Sequence, residues 1–275
     1  MTKETIGFIG GGNMARCIIG GLIESGWPRG AIMASDPSST ARNALHETWA
    51  VTCVSDNAAV VSGSQVVVLA VKPQALREVL QPLAGVLASR KPLLVSIVAG
   101  VRLAAICHWA GTELPVVRAM PNMPALVGSG ASGLCANDLV SEPQREIAES
   151  ILRAVGVTIW VEDESLVDTI TAVSGSGPAY FFYLMESIEQ AALANGLDAD
   201  TARLLTLETA FGAAKLALES SESPASLRQR VTSPGGTTEA AINTMADGKL
   251  PQVVGAGVEA ALRRSRELAE LFTGD

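Results

Sequence analysis

Short runs of consecutive apolar residues, each followed by polar or glycine-rich residues, recur along the first part of the chain. Runs of about four to eight apolar residues bounded by turn residues are typical of buried strands. We therefore predict strands at residues 5–10, 31–35, 66–71, 93–98 and 116–120.

Between these runs, apolar residues recur every three or four positions, which is the spacing of one face of an amphipathic helix. The first such segment carries Ala15, Ile18, Ile19, Leu22 and Ile23, and it closes at Gly26, a residue type that often follows helix ends. Strands that alternate with helices predict a doubly wound α/β domain, in which helices cover both faces of a parallel sheet.

From about residue 163 the strand-like runs stop, and Ala, Leu, Glu and Arg at helical spacing continue to the end of the chain. We therefore predict an α/β domain over residues 1–162 and an all-α domain over residues 163–275. The helical part has more small and apolar surface than a thin domain can bury alone, so we expect a homo-oligomer. The alternative is a monomer whose helices pack only against one another.

Charge and composition exclude several classes of partner. With 20 Lys and Arg against 28 Asp and Glu, the formal net charge is −8, and no basic cluster offers a surface for nucleic acid or an anionic membrane. No apolar run approaches the roughly 20 residues that span a bilayer, and no secretory signal is recognisable. We expect a cytoplasmic protein without a membrane partner.

Candidate nucleophiles and metal ligands are sparse. The four cysteines lie far apart without a C-x-x-C pair, and the two histidines, His46 and His108, lie in no motif. We expect reduced, buried thiols and no metal site. A Ser–His or Cys–His mechanism is disfavoured as well, so the sequence indicates that a bound cofactor supplies the chemistry.

The first predicted strand leads into the sequence GFIGGGNMA, which opens the first predicted helix. It contains the pattern G-x-G-x-x-A at Gly10, Gly12 and Ala15. Gly10 permits a tight turn, Gly12 lets the backbone approach a pyrophosphate at the positive helix end, and Ala15 allows close packing on the strand. This position in the chain favours a dinucleotide site over an ordinary glycine turn.

The second predicted strand ends at Ser35 and Asp36, where the ribose of an adenosine would lie. Asp36 has the position of the acid that binds a ribose 2′-hydroxyl and favours NAD over NADP. An Asp before a proline also starts turns, and three nearby serines together with Arg42 could surround a 2′-phosphate instead. The sequence leaves these alternatives open.

Two further segments follow predicted strands at the edge where such sheets bind ligands. Asp56 and Asn57 cap a short helix after the third strand, on the adenosine side, although capping alone would explain them. The fourth strand ends in AVKP at residues 70–73, where Lys72 can meet a ribose or phosphate or can be an ordinary solvated lysine.

Three more motifs combine proline, glycine and hydroxyl residues. RAMPNMP at residues 118–124 predicts a rigid, extended loop at the same edge, because its prolines restrict the backbone. SGSGPAY at residues 174–180 joins two helices, with Pro178 suited to a first helical turn. VTSPGGTTE at residues 231–239 leads into a helix whose first N–H groups can bind a small carboxylate, or can simply be capped.

Taken together, GFIGGGNMA, AVKP, RAMPNMP, SGSGPAYFF and VTSPGGTT resemble the pyrroline-5-carboxylate reductase family in their order and spacing. The resemblance covers nearly the whole chain, and the last two motifs are the specific ones, since the first occurs in many nicotinamide enzymes. It implies a Rossmann-type doubly wound α/β N-terminal domain and an all-α C-terminal dimerisation domain. It also implies an enzyme that reduces a cyclic imino acid to L-proline with a nicotinamide cofactor.

The same resemblance implies roles for individual residues. The expected cofactor-binding residues are Gly10, Gly11, Gly12, Asn13, Met14, Ser35, Asp36, Asn57, Ala70, Val71, Lys72, Pro73, Ala99 and Gly100, the last two at the nicotinamide end. The expected substrate-binding residues are Ser233, Gly236, Thr237 and Thr238. The resemblance further implies an obligate dimer in which the helical domain of a second subunit completes the active site.

One position departs from a common family pattern. Many members have Ser-Asn-Arg where this chain has Ser35-Asp36-Pro37, which removes an obvious ligand for a 2′-phosphate. NADP(H) remains the expected cofactor, with NAD(H) as the alternative. Because the motifs hold no strongly acidic or basic catalytic residue, we predict that the Thr238 hydroxyl hydrogen-bonds the ring nitrogen of the substrate, directly or through water.

Two other functions fit part of this pattern. β-Hydroxyacid dehydrogenases share a Rossmann domain followed by helices, but they place a catalytic lysine early in the helical domain. This chain has no Lys or Arg between Glu164 and Gly196. A non-catalytic nicotinamide-binding sensor would keep the glycine loop but would have no chemical need for SGSGPAY and SPGGTT.

Overall fold

The structure is a computed structural model that describes residues 4–272. The ends of the two predicted domains, residues 1–3 and 273–275, lie outside that range. The strands are β1 (Ile6–Ile9), β2 (Ile32–Ser35), β3 (Thr52–Val54), β4 (Val66–Leu69), β5 (Leu93–Ser96), β6 (Val116–Met120), β7 (Gly130–Ala136) and β8 (Gly156–Trp160). They form one sheet in the order β3-β2-β1-β4-β5-β6-β7-β8.

The five strands predicted from apolar runs are confirmed as β1, β2, β4, β5 and β6. All neighbours from β3 to β6 pair in parallel, in the strand order of doubly wound dinucleotide-binding folds. Every residue of β1, β4 and β5 is buried, because helices cover both faces of the sheet. This double burial is the reason that these strands are unbroken apolar runs.

The hydrophobic pattern does not predict β7 and β8, and they make this edge of the sheet mixed. β7 runs antiparallel to β6, and β8 is parallel to β7. Only residues 121–129 join β6 to β7, which is too short for the crossover that a parallel neighbour requires. β7 is rich in glycine and small residues, and alternate residues of the edge strand β8 are exposed, so neither strand is a continuous apolar run.

Helices pack on the two faces of the sheet. They are α1 (Asn13–Glu24), α2 (Ser39–Trp49), α3 (Asn57–Gly63), α4 (Leu76–Leu80), α5 (Ala84–Arg90), α6 (Leu103–Ala110), α7 (Glu142–Arg153) and α8 (Ser165–Ile170). The side chains form two apolar layers, one around Phe8 and Ile18 and the other around Leu80 and Ile106. The predicted face of α1 is confirmed, since four of its five expected apolar residues are buried and the fifth, Ile23, is half-buried against the same layer.

The chain beyond β8 is helical, as predicted, and no strand occurs in its described part up to residue 272. A π-helix at Thr171–Gly175 follows α8. The remaining helices are α9 (Gly177–Ala194), α10 (Ala199–Glu219), α11 (Pro224–Arg230), α12 (Thr237–Asp247) and α13 (Leu250–Leu271). None of the helices within residues 4–272 has the length and apolar character that crossing a membrane requires.

The described chain divides into two compact units. The first extends to Ser176 and takes in the chain from Ala261 onward, and the second is Gly177–Ala260. Helix α13 therefore belongs to the second unit up to Ala260 and to the first unit beyond it. The domain boundary between residues 162 and 163 stays a prediction.

The second unit has almost no buried core of its own. Its buried residues are Gly177, Ala202, Thr206 and Leu227. Large apolar side chains are exposed instead, among them Phe211 at 64% and Leu218 at 87%. Single exposed apolar residues are normal, but a helical unit with most of its apolar residues in water needs a partner surface.

Candidate active site

The glycine loop lies at the carboxyl ends of β1 and β4, where the strand order reverses. Gly10 has a φ angle of +101°, and a Cβ atom there would lie 2.6 Å from the carbonyl oxygen of Ala70. The Gly10 N–H donates to the Ser35 carbonyl oxygen at 2.8 Å, and the Ala70 N–H donates to the Ile9 carbonyl oxygen at 2.8 Å. The turn from β1 into α1 therefore requires glycine at this position.

The N-terminus of α1 is open. Gly12 is its N-cap residue, no side chain caps it, and its first turn has no acidic residue. Among the described residues, no atom lies within 4 Å of the place of a Cβ atom on Gly12. The first N–H groups of α1 have no acceptor within the helix. Together with the positive end of the helix dipole and the open space at Gly12, they fit the pyrophosphate of a dinucleotide.

Asp36 follows β2 and is fixed to the glycine loop. Its Oδ2 atom accepts from the Gly11 N–H at 2.9 Å, and its Oδ1 atom accepts from the Ser38 N–H at 2.8 Å. Arg42 Nη1 donates to the carbonyl oxygens of Asp36 and Pro37 at 2.7 and 2.9 Å, so this guanidinium group is turned to the backbone. A carboxylate at this place accepts from a ribose hydroxyl and repels a 2′-phosphate.

Ser35 and Asn57 contact each other beside Asp36. The Ser35 hydroxyl is buried, and it lies 2.7 Å from Asn57 Oδ1 and 3.3 Å from the Phe8 carbonyl oxygen. Asp56 caps α3, as predicted, because its side chain accepts from the Ala58 N–H at 2.8 Å. The Ser35 hydroxyl thus supports the end of β2, and its contact with a cofactor stays a prediction.

The loops after β4 and β5 follow the glycine loop along the same edge of the sheet. Of residues 70–73, Lys72 is exposed and the other three are half-buried. After β5, Ala99 is exposed. Gly100 has a φ angle of +76°, and a Cβ atom on Gly100 would lie 3.4 Å from Leu268 Cβ. In doubly wound folds each half of the sheet binds one mononucleotide. Contact of these loops with the nicotinamide half of a cofactor stays a prediction.

The RAMPNMP segment contains the end of β6 and a loop. The prolines predict an extended loop, whereas the structure has a 3₁₀ turn at Met123–Val127. Pro124 lies in the first turn, where its missing N–H costs nothing. The buried Asn122 donates to the Ser174 carbonyl oxygen at 3.0 Å and accepts from the Ala131 N–H at 2.9 Å, so one side chain joins two motifs.

The SGSGPAY segment is a junction between helices, as predicted. Its first two residues end the π-helix Thr171–Gly175, and α9 begins at Gly177 with Pro178 in its first turn. A π-helix is rare and frequently lies at a functional site. No sequence signal indicates it here.

The SPGGTT segment forms the N-terminus of α12 in the second unit. Gly236 is the N-cap residue, without a capping side chain, and its N–H donates to the Ser233 carbonyl oxygen at 3.0 Å. Gly235 has a φ angle of +71°, which favours glycine. Glu239 Oε2 accepts from the Gly235 N–H at 2.8 Å and closes the loop.

Thr237 and Thr238 begin α12, and their N–H groups lack acceptors within the helix, as in any first helical turn. Within the described part of the chain, neither hydroxyl group makes a hydrogen bond. Backbone donors and hydroxyl donors are therefore available together. Such a set can bind one carboxylate.

The cysteines are free, and Cys135 is buried, while Cys17, Cys53 and Cys107 are only half-buried. Burial is the main cause that raises the pKa of each thiol above its ordinary value. A raised pKa keeps a thiol protonated and disfavours it as a nucleophile. Among residues 4–272, no group of three His, Cys, Asp or Glu side chains could hold a metal ion.

A buried network of ion pairs lies near the loop after β5, and the sequence analysis does not predict it. It includes Arg118, on β6, and Asp168, on α8, and both side chains are almost fully buried. An arginine inside the apolar strand VVRAM is the one signal that could have indicated it, because a buried charge needs a partner.

The fold and the open glycine loop define a dinucleotide-binding protein of the doubly wound α/β class. The chain is 50% identical over 270 residues to the pyrroline-5-carboxylate reductase of Pseudomonas aeruginosa, which is 98% of each chain. This chain belongs to the pyrroline-5-carboxylate reductase family.

Further comparisons agree with this membership. Residues 164–268 match the family described as pyrroline-5-carboxylate reductase dimerisation, and residues 5–100 match that described as NADP oxidoreductase, coenzyme F420-dependent. A pyrroline-5-carboxylate reductase structure from Coxiella burnetii has a TM-score of 0.92 at 44% identity, covering 97% of this chain and 98% of that one. The Plasmodium falciparum pyrroline carboxylate reductase, solved with NADP bound, has a TM-score of 0.87 at 28% identity, covering 98% and 99%.

Proposed function

We propose that this protein catalyses the NAD(P)H-dependent reduction of 1-pyrroline-5-carboxylate to L-proline, the last step of proline biosynthesis. The observation that carries the proposal is the match to a pyrroline-5-carboxylate reductase over 98% of the chain at 50% identity. The open N-terminus of α1 at the switch point supports it independently. The dehydrogenase and sensor alternatives have no comparable support.

The cofactor supplies a hydride for the imine carbon when it is bound. Residues 10–14 at the start of α1 are the proposed ligands of its pyrophosphate, and the loops after β4 and β5 are those of its nicotinamide half. The relative with bound NADP favours NADP(H). Asp36 acts against a 2′-phosphate, so NAD(H) is the competing cofactor, and relative rates with the two must decide.

The substrate carboxylate is proposed to bind at the N-terminus of α12, through Ser233, Gly236, Thr237 and Thr238. This placement fixes which ring carbon faces the nicotinamide, and positioning of this kind supplies a large part of the rate. The Thr238 hydroxyl then hydrogen-bonds the ring nitrogen, whose protonation makes the imine carbon electrophilic. Its lack of another partner within the described residues supports this role.

A second copy of the chain is proposed to complete the active site. The second unit exposes apolar side chains such as Phe211 and Leu218, and residues 164–268 match a dimerisation family. The proposed substrate-binding residues lie on this second unit. Because a second copy must cover the unit, a site shared between subunits is favoured. A cytoplasmic location remains a prediction.

Replacement of Thr238 tests the substrate site. The purified protein should oxidise NADPH when 1-pyrroline-5-carboxylate is added, and Thr238→Ala should lower kcat about 10²-fold, the usual contribution of a positioned proton donor. Its dissociation constant for NADPH should stay unchanged, because Thr238 lies outside the proposed cofactor site. Steady-state absorbance and calorimetry measure the two quantities.

Thr244→Ala is the matched control on the same helix, since the Thr244 hydroxyl donates to the Ala240 carbonyl oxygen and has no further hydrogen bond in the described part of the chain. A full rate for Thr238→Ala would remove this hydroxyl from the mechanism. An absence of turnover in wild-type protein that binds NADPH would overturn the reductase assignment itself.

A further inference from the structure

Four charged side chains and one hydroxyl meet in the first unit. The Arg118 side chain is 2% exposed, and its Nη1 and Nη2 atoms lie 3.0 Å from Glu164 Oε1 and 3.3 Å from Asp168 Oδ1. Arg102 Nη2 lies 2.7 Å from Asp168 Oδ2. Ser265 donates its hydroxyl to Asp168 Oδ1 at 3.1 Å. Two guanidinium groups thus face two carboxylates, and the charges balance.

Asp168 is the centre of this network. Its side chain is fully buried, and it accepts from Arg102, Arg118 and Ser265. A buried ion pair adds little stability overall, because desolvation of the charges offsets their attraction. Removal of one partner, however, leaves an unpaired buried charge, so the geometry of the remaining groups depends strongly on Asp168.

The network holds the loop that follows β5. Arg102 lies two residues after Gly100 and precedes α6, and the Leu103 N–H at the start of α6 donates to Glu164 Oε1 at 2.9 Å. Glu164 therefore occupies a backbone donor at the N-terminus of α6, while Asp168 fixes the Arg102 side chain. One end of the loop is anchored by both acids.

The final turns of α13 hold the same loop from another side. Ser265 and Leu268 are three residues apart and lie on one face of the helix. Ser265 contacts Asp168, and Leu268 Cβ lies 3.4 Å from the place of a Cβ atom on Gly100. With a φ angle of +76°, Gly100 lets the loop turn against this helix.

The contacting groups come from two parts of the sequence. Arg102 and Arg118 belong to the sheet region, whereas Glu164, Asp168 and Ser265 all lie within residues 164–268, which match the dimerisation family. The network therefore ties the loop after β5 to two helices of the dimerisation segment, α8 and α13.

We propose that Asp168 is a positioning residue for the nicotinamide half of the cofactor site. It fixes Arg102, and Arg102 fixes the loop at Ala99 and Gly100. The inference rests on the proposed function, which places the nicotinamide at that loop. The adenosine half is held separately, by Asp36 and the glycine turn, so loss of the network should affect only one end of the cofactor.

Two ligands distinguish the ends of the cofactor. NADPH carries the nicotinamide, and 2′-phospho-ADP-ribose lacks it. In the full-length protein, Asp168→Asn should raise the calorimetric Kd for NADPH about tenfold, or about 1.4 kcal/mol. The Kd for 2′-phospho-ADP-ribose should change by less than about twofold, because no adenosine contact is altered.

Ser265→Ala provides a milder variant that removes one hydrogen bond and no charge, and it should shift the two constants in the same unequal way. It keeps the proposal testable if thermal unfolding shows that Asp168→Asn does not fold. Glu162→Gln is the matched control, since it neutralises an acid two residues from Glu164. Within residues 4–272, the one ion pair of Glu162 is the exposed pair with Arg145.

Equal weakening of both ligands in the two variants, or no weakening of either, would overturn the positioning role. If wild-type protein binds 2′-phospho-ADP-ribose as tightly as NADPH, the proposed placement of the nicotinamide fails instead. That outcome appears without any variant, so the two failures are distinguishable.

Discussion

Gly10 and Gly12 belong to one loop, but different physical constraints act on them. At Gly10 the backbone conformation and the Ala70 carbonyl oxygen, 2.6 Å from the place of a Cβ atom, both exclude a side chain. At Gly12 φ is −70°, and a Cβ atom would meet nothing within 4 Å. Folding therefore requires the first glycine, whereas only a bound ligand would require the second.

Substitution of each glycine by alanine separates the requirement of folding from the requirement of cofactor binding. Gly12→Ala should change the free energy of unfolding by less than about 1 kcal/mol, the scale of an N-cap substitution. It should weaken NADPH binding about tenfold or more, because the methyl group occupies space next to the pyrophosphate. Gly10→Ala should lower the free energy of unfolding by about 1–3 kcal/mol.

Urea unfolding and calorimetric titration measure both quantities for the two variants. Normal NADPH binding by Gly12→Ala would mean that the pyrophosphate does not lie at the N-terminus of α1.

At the scale of elements, Asn122 joins the loop after β6 to β7 and to the π-helix. Asn122→Ala would leave the half-buried Ala131 N–H and Ser174 carbonyl oxygen without the Asn122 side chain as a partner. An unsatisfied buried group costs about 1–3 kcal/mol, and because these two groups are only half-buried we take the low end for each and expect a loss of about 2 kcal/mol in the free energy of unfolding. Asn43→Ala on the exposed face of α2 is the control. If urea unfolding gave equal, small losses in the free energy of unfolding for both variants, the two hydrogen bonds of Asn122 would not stabilise the fold.

The sequence predicts those elements whose burial leaves a local pattern. β1 and β4 are buried on both faces and are therefore apolar runs, and the glycine loop depends on residues within one turn. β7 and β8 lie at a mixed edge with partial exposure, so their sequences lack such runs. Local patterns are therefore sufficient to predict the class of fold, but they do not predict the strands β7 and β8 at the edge of the sheet.

Contacts between distant residues were beyond sequence reasoning. The position of Asp36 after β2 identifies it as a candidate cofactor ligand. The sequence does not predict its hydrogen bond with the Gly11 N–H, which is 25 residues away. The partners Arg118 and Glu164 are 46 residues apart, and Arg102 and Asp168 are 66 apart. Only the fold brings such charges together, and no spacing in the sequence encodes them.

At the scale of the whole molecule, the second unit explains why the protein needs a second copy. Residues 177–260 form long helices whose large apolar side chains, such as Leu218, remain exposed. Hydrophobic burial is the main favourable term in folding, so these helices need a surface to cover them. Because the proposed carboxylate site at Thr237 and Thr238 lies on this unit, assembly and catalysis should be coupled.

Subunit mixing tests whether two copies share one active site. Gly12→Val should block the cofactor site, and Thr238→Ala should impair the substrate site, so each homodimer should be nearly inactive. If sites are shared, a mixed dimer has one site built from the unaltered cofactor site of the Thr238→Ala chain and the unaltered substrate site of the Gly12→Val chain. Co-expression of the two variants should then restore about a quarter of the wild-type rate, since about half of the dimers are mixed and each has one intact site. No recovery in isolated mixed dimers would place each site within a single chain.

Hydride transfer leaves an isotopic record in the product. With NADPH deuterated at the transferred position of C4, the L-proline formed should carry one deuterium on the ring carbon next to nitrogen that does not bear the carboxylate. Mass spectrometry and NMR of the product detect its amount and position. Proline without deuterium, or no proline from protein that binds both ligands, would contradict direct reduction of the imine carbon by the bound cofactor.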